Sequence, residues 1–183
     1  MGAEVRVGEG VVRWSHARTG EVSVSQRPSH EAGEGPGADE RDATAGLVWP
    51  AARPLCAMLC GGGVDLAGKS VVEVGCGPAL PGIVAARLGA ARVVLCDKPS
   101  ELALPRENAA RNGVRVEVMP CWWGDDAMLG AMGQFDVVIV SDWYARALRS
   151  PRPRRARRRG QGPRRGYVFR HDLRVWTPFV VEH

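Results

Sequence analysis

Long apolar runs are missing from this chain of 183 residues. Runs such as Phe135 to Val140, itself interrupted by Asp136, fall far short of the roughly 20 residues that a helix needs to cross a bilayer, so no transmembrane segment is expected. The N-terminus, Met1-Gly2-Ala3-Glu4-Val5-Arg6, lacks a charged lead followed by an apolar stretch, so no secretory signal is expected. An intracellular location is the default expectation, cytoplasmic with the nucleus as the alternative. Cysteine is present at Cys56, Cys60, Cys76, Cys96 and Cys121, but never as a C-x-x-C pair. Cys56 and Cys60 would lie one helical turn apart, yet no histidine or further cysteine joins them, so no metal site is expected and all five read as buried reduced thiols. The four histidines, His16, His30, His171 and His183, all lie outside the central segment. Lysine is scarce too: Lys69 and Lys98 stand beside 23 arginines in a chain rich in Gly, Ala and Pro. That imbalance reads as coding bias rather than as selection for phosphate binding.

The net charge of +5 looks like a signal for nucleic acid until it is located along the chain. Ten arginines fall between Arg146 and Arg165 with no acidic residue among them, which leaves the remainder with a net charge of −5. Basicity therefore belongs to one segment, and such a tract by itself gives only salt-sensitive, non-specific contact with nucleic acid.

Three regions follow. Residues 1–45 hold two stretches of strand character, Val5 to Trp14 and Glu21 to Ser25, around the turn-like Arg18-Thr19-Gly20. They predict a small hairpin, followed by a flexible loop rich in Gly, Glu, Asp and Ala. Residues 46–145 open with a helix, predicted from apolar positions recurring at three and four residue intervals between Leu47 and Cys60, starting near Pro50. Short apolar runs then alternate with helical segments. Strands are expected at Ser70 to Val74, Ala91 to Cys96, Val114 to Met119 and Phe135 to Val140, with helices at Pro81 to Leu88 and Glu101 to Arg111. Such alternation predicts a doubly wound α/β fold with a parallel sheet, whose ligands collect at the carboxyl ends of the strands. Residues 146–183 form an Arg/Pro-rich tail, expected to be disordered through Gly166, with one strand available between Tyr167 and His183.

The informative segment runs from Val71 to Gly82. A strand ending in Gly75-Cys76-Gly77 and followed by a helix lets the backbone turn sharply and approach a ligand. By itself this would equally serve as a plain strand-to-helix turn. A dinucleotide fingerprint would place its third glycine at position 80, where Leu80 stands, and Glu73 puts a carboxylate beside the loop that would repel a pyrophosphate. A ligand carrying an ammonium and a sulfonium suits that charge, which favours S-adenosylmethionine over NAD. The next strand ends at Asp97, about twenty residues beyond the glycines, where a carboxylate can accept both ribose hydroxyl hydrogens; a helix cap or surface Asp is the plainer alternative. Trp122-Trp123-Gly124 follows the third strand, and one of its tryptophans could pack on adenine while the other serves the core.

Taken in order, Leu47-Val48-Trp49-Pro50-Ala51-Ala52, the run from Val71 to Gly82, Leu95-Cys96-Asp97, Trp123-Gly124 and Asp136 to Tyr144 resemble the motifs of methyltransferase family 16, which includes many protein lysine methyltransferases. The resemblance covers about 100 residues. It implies a Rossmann-like, S-adenosylmethionine-dependent methyltransferase acting on a protein substrate, at lysine ahead of arginine. It implies further that Trp49 lines the cofactor site, that Gly75, Cys76 and Gly77 wrap the methionine end, and that Asp97 takes the ribose. Trp123 falls to the adenine region, Ser141 to the pocket rim, and Asp142 to the substrate side as the catalytic candidate, with capping of the next helix as its alternative. The family's Asp-x-x-aromatic motif ends here on Ala145, although Trp143 and Tyr144 precede it. Family members continue with further strands and helices, so the sheet is expected to be incomplete in its C-terminal half. Its fourth strand would be left bare unless the stretch from Tyr167 to Val181 lies along it. An inactive cofactor-binding or interaction module is the alternative reading. Oligomeric state is not legible.

Overall fold

The computed structural model describes residues 3–8, 10–27, 46–121 and 132–141, together with the backbone of 179–182. The chain enters through a three-stranded antiparallel sheet of β1 (Glu4–Gly8), β2 (Val11–His16) and β3 (Gly20–Ser25). The stretch expected as one strand from Val5 to Trp14 is thus two, with Gly10 at φ +70° between them, a conformation that costs glycine little. Alternation puts Val12, Trp14, Val22 and Val24 on one buried face.

After α1 (Ala52–Cys60) the expected alternation begins: β4 (Ser70–Val74), α2 (Leu80–Arg87), β5 (Arg92–Asp97), a single 3-10 turn (Pro99–Glu101), α3 (Ala103–Arg111), β6 (Glu117–Pro120) and β7 (Val137–Val140). The third strand starts later than the sequence pattern implied, because Val114 and Val116 pack against the core from the loop ahead of it. A five-stranded sheet has the order β6-β5-β4-β7-β8, with β8 (Phe179–Glu182) drawn from the C-terminal stretch. The first four strands run parallel and β8 pairs antiparallel with β7, Val140 opposite Phe179. The edge of β7 is therefore covered by the one part of the tail expected to be able to do so. The Arg-rich tract lies outside the described residues.

Strand order reverses at β4, whose neighbours are β5 on one side and β7 on the other. That switch point is where an open α/β sheet leaves a crevice at its carboxyl edge. At the opposite edge Ser70 and Asp136 hold β4 and β7 in register. The Asp136 carboxylate accepts from the Ser70 amide at 2.8 Å and its hydroxyl at 2.7 Å, and the Ser70 carbonyl accepts the Asp136 amide at 3.0 Å.

The period of two along the strands sorts residues between two faces. Val71, Val93, Leu95, Val137 and Ile139 join one large core with α1, α2 and the inner face of the antiparallel sheet. Val72, Val94 and Cys96 meet Cys121 and Met132 in a smaller cluster on the other side. The N-terminal strands thus share the main core with the parallel sheet.

Candidate functional site

The turn from β4 into α2 is built by three positive φ angles at alternate residues: Gly75 at +69°, Gly77 at +48° and Ala79 at +64°. Two are glycines and adopt this freely, while Ala79 is the one described non-glycine residue in that region. The loop curls over the end of β5 and commits its donors there. The Gly75 and Cys76 amides both donate to the Cys96 carbonyl, at 2.8 and 3.1 Å, and the Gly77 amide donates to Asp97 Oδ2 at 2.7 Å. Further along, the Ala79 amide bonds the Cys76 carbonyl, the Ile83 amide bonds the Ala79 carbonyl, and the Gly82 amide donates to Glu73 Oε2 at 2.8 Å. Pro78 and Pro81 bring no N–H. Leu80 alone in this run stands outside the accounting.

A phosphate-binding loop works by aiming free amides and a helix N-terminus at an anion. Here those amides are used internally, so the loop has few donors to offer an anion. The loop is therefore suited to a ligand whose nearest groups are hydrogen-bond donors or cations.

The two carboxylates behave differently. Asp97, buried at the end of β5, accepts from the Gly77 amide on Oδ2 and from the Lys98 amide on Oδ1 at 2.8 Å. A carboxylate has room for about four acceptor contacts, so both oxygens keep capacity for hydroxyl donors. Burial pushes its pKa up, opposed by the two amides and by the Lys98 charge. Glu73 was expected to lend its charge to the ligand side of the loop, and the structure corrects this. Its side chain shares a strand face with Val71 and lies fully inside, beneath the first turn of α2. Desolvation raises its pKa to about 8, the Gly82 amide lowering it and the Asp97 charge raising it, so near neutral pH the group is held mostly as the neutral acid.

Gly82 belongs to the same construction. A Cβ there would run into Leu95 Cδ2 and lie 2.6 Å from Glu73 Oε2, so the absence of a side chain is what lets α2 sit on the sheet.

Cys76 likewise faces inward: its side chain is buried in the main core, its thiol pKa is raised well above the usual value by desolvation, and only its backbone is left to serve a ligand. None of the five cysteines forms a disulfide, and all five are buried.

Ser141 follows β7 directly, and because Val140 pairs with Val74 it stands level with Gly75 across the switch point. Its Oγ is buried and has no hydrogen-bond partner among the described residues, so it can still take one. Trp49, 39% exposed, stands on the turn ahead of α1, where its carbonyl accepts the Ala52 amide. Gly75, Gly77, Asp97 and Ser141 thus meet at one edge of the sheet, with Cys76 contributing backbone and Glu73 turned away. Trp123 and Asp142 lie outside the described residues.

One participant escaped the sequence reading. Asn108, fully buried on α3, donates from Nδ2 to the Pro78 carbonyl at 3.0 Å. The available signal was Asn108 in the helix interior, where asparagine is a poor former, with Asn112 four residues on at the helix end.

With this geometry in place, the comparisons with known proteins are specific. The family model described as lysine methyltransferase matches residues 37–148, more than half of the chain. The protein N-lysine methyltransferase METTL21A of Danio rerio is 38% identical over 108 residues, covering 56% of this chain and 49% of that protein. The ribosomal protein L11 methyltransferase of Aeromonas hydrophila is 51% identical over 57 residues, 31% of this chain and 20% of that one. This chain thus spans about half the length of the first relative and a fifth of the second. Among solved structures, the 16S rRNA N2 G1207 methyltransferase RsmC of T. thermophilus, in complex with AdoMet and guanosine, overlays with a TM-score of 0.50 at 20% identity. It covers 76% of this chain and 34% of RsmC and bears on the fold alone. The glycine turn, the acidic strand end and the matched segment together place this chain in the lysine methyltransferase family, methyltransferase family 16.

Proposed function

We propose that this chain binds S-adenosylmethionine at the carboxyl edge of its parallel sheet and serves protein N-methylation, at lysine ahead of arginine. The observation that carries the reading is the donor accounting of the loop. Its amides are spent on Cys96, Asp97, Glu73 and the turn itself, which disfavours a pyrophosphate and suits a ligand bearing an ammonium, a sulfonium and ribose hydroxyls. The unsatisfied Ser141 Oγ and the spare acceptor capacity of Asp97 fit the same ligand. METTL21A, by its name a protein N-lysine methyltransferase, supports the choice of substrate class.

When bound, S-adenosylmethionine supplies an electrophilic methyl group on a sulfur that leaves as a neutral sulfide. In this reading the glycine loop would orient the amino-acid end, and Asp97 would hold the ribose. By the family resemblance, Trp49 and Trp123 would flank the ligand and Ser141 would line the rim. Because the displacement is in line and the leaving group needs no acid, the protein's task is alignment and exclusion of water. The nucleophile does need help, since a free lysine, with a pKa of about 10.4, is mostly protonated at neutral pH. Asp142 is the group proposed to orient that amine and take its proton.

Calorimetric titration of the full chain with S-adenosylhomocysteine tests the binding half, with a Kd in the micromolar range expected. Transfer of a labelled methyl group to lysine-bearing and arginine-bearing peptides tests the chemistry. Absence of binding in a folded protein would overturn the reading; binding without transfer to either peptide would favour the inactive module.

A further inference from the structure

We infer that Asn108 is a positioning residue for the cofactor loop: its buried carboxamide holds the Pro78–Ala79 peptide in the turn that opens α2 and ties that turn to the N-terminal antiparallel sheet. The inference rests on the proposed cofactor site, which gives the loop its ligand.

Ala79 has the left-handed φ of +64° that a residue with a Cβ rarely adopts, and such a conformation persists only where surroundings impose it. The peptide between Pro78 and Ala79 is held from both ends. The Ala79 amide donates to the Cys76 carbonyl at 2.7 Å, and the Pro78 carbonyl accepts from Asn108 Nδ2 at 3.0 Å. Asn108 is itself immobilised. Its Oδ1 accepts the Ser25 amide at 2.8 Å, and Nδ2 also donates to the Ser25 carbonyl at 3.0 Å. One carboxamide therefore mimics a strand neighbour for β3 and restrains the loop with its second N–H.

Asn112, four residues further on at the C-cap of α3, repeats only the first half of this arrangement. It exchanges the same pair of bonds with Ser23, at 2.9 and 2.7 Å, and its other N–H goes to the Asn108 carbonyl rather than to the loop. Four residues along the helix axis rise about 6 Å and two strand residues span about 7 Å, which is why the two asparagines fit alternate residues of β3. The molecule thus contains its own control. Both asparagines fasten the antiparallel sheet, and only Asn108 touches the loop.

The test compares full chains carrying Asn108→Ala, Asn112→Ala, and Asn108→Ala combined with Ala79→Gly, by calorimetry with S-adenosylhomocysteine, thermal melting and amide hydrogen exchange. Asn108→Ala should weaken binding about tenfold, the scale of one lost buried hydrogen bond, and Asn112→Ala by less than about twofold. Ala79→Gly should restore at least about threefold in the Asn108→Ala background, because glycine takes the positive φ without needing to be held. It should do so while lowering the melting temperature, since it also removes a buried methyl group. A purely structural role predicts equal losses in the two asparagine variants and no recovery with Ala79→Gly. Equal loss of affinity in both asparagine variants, or no recovery with Ala79→Gly, would overturn the proposal. If Asn108→Ala does not fold, Asn108→Asp takes its place, since it keeps the acceptor for the Ser25 amide and loses both donors, to the Pro78 and Ser25 carbonyls. If the wild-type chain itself fails to bind, the cofactor reading falls, and exchange decides the loop's restraint separately. The Gly77 and Ala79 amides should then exchange faster in the Asn108 variant than in the Asn112 variant, and equal rates would sink the idea.

Discussion

The ends of β4 and β5 lie side by side, each carries a buried carboxylate, and each carboxylate accepts an amide of the glycine turn or the helix behind it. Yet they do opposite things. Glu73 accepts one amide, faces the main core and is held neutral to about pH 8, whereas Asp97 accepts two amides at the sheet's carboxyl edge and keeps acceptor capacity for a ligand. The difference teaches that a carboxylate's role here is set by strand position. Two residues back from the turn, the side chain belongs to the inner face; at the strand end, it belongs to the crevice.

The sharpest way to break this contrast is Gly82→Val. A side chain at this position collides with Leu95 and Glu73 at once, in a place backed by a central strand. Loss of about 3 kcal/mol or more is expected, up to failure to fold, measured by denaturant unfolding. Retained stability would mean that α2 can lift from the sheet and that the inner carboxyl is not enclosed.

Next in size is Asp97→Ala, expected to weaken S-adenosylhomocysteine binding by about 1.5 to 3 kcal/mol, since charge-assisted hydrogen bonds are lost and the Gly77 amide is orphaned. Glu73→Gln should change that affinity far less, because Glu73 is already neutral and turned away. Equal effects from the two substitutions would erase the distinction between the strand ends.

The pH dependence of stability separates them further. Glu73 has its folded-state pKa raised from 4.5 to about 8, so between these values the folded protein holds a proton that the unfolded chain has released. Its contribution is complete below the unfolded pKa and is lost as pH rises through the window, so stability falls with rising pH and levels off above about 8. In Glu73→Gln that slope should flatten, read as melting temperature from pH 5 to pH 9. A variant with the wild-type slope would assign the proton elsewhere.

The smallest effect is expected at the far edge of the sheet. Ser70→Ala removes the hydroxyl that Asp136 accepts at 2.7 Å but keeps the backbone bonds, so melting should drop slightly and ligand affinity should not move. A fall in affinity there would show that the register clamp reaches the crevice.

Much of the site was readable from residue order because it is local. A strand, two glycines two residues apart and a helix form one contiguous turn, and the position of Asp97 follows from one crossover length. Glu73 was misread toward the ligand although the parity that turns it inward was present: it alternates with Val72 and Val74 and shares phase with Val71. Cys76 was named for a loop that uses its backbone while its side chain joins the core. The break in the N-terminal stretch was missed because Gly10 was read as part of a strand, where its positive φ instead turns the chain.

By itself, then, the sequence determined the alternation of strands and helices, the turn between β4 and α2, and the residues standing at the strand ends, because each of these depends on neighbours within a few positions. Tertiary structure alone decided the rest. The bonds from Asn108 to Ser25 and from Asn112 to Ser23 span 83 and 89 residues and leave no periodic trace. The pairing of β8 with β7 joins segments about forty residues apart through backbone groups that any residues carry. The neutral state of Glu73 is a property of desolvation, summed over every atom that excludes water from it, and no residue near it in sequence encodes that sum.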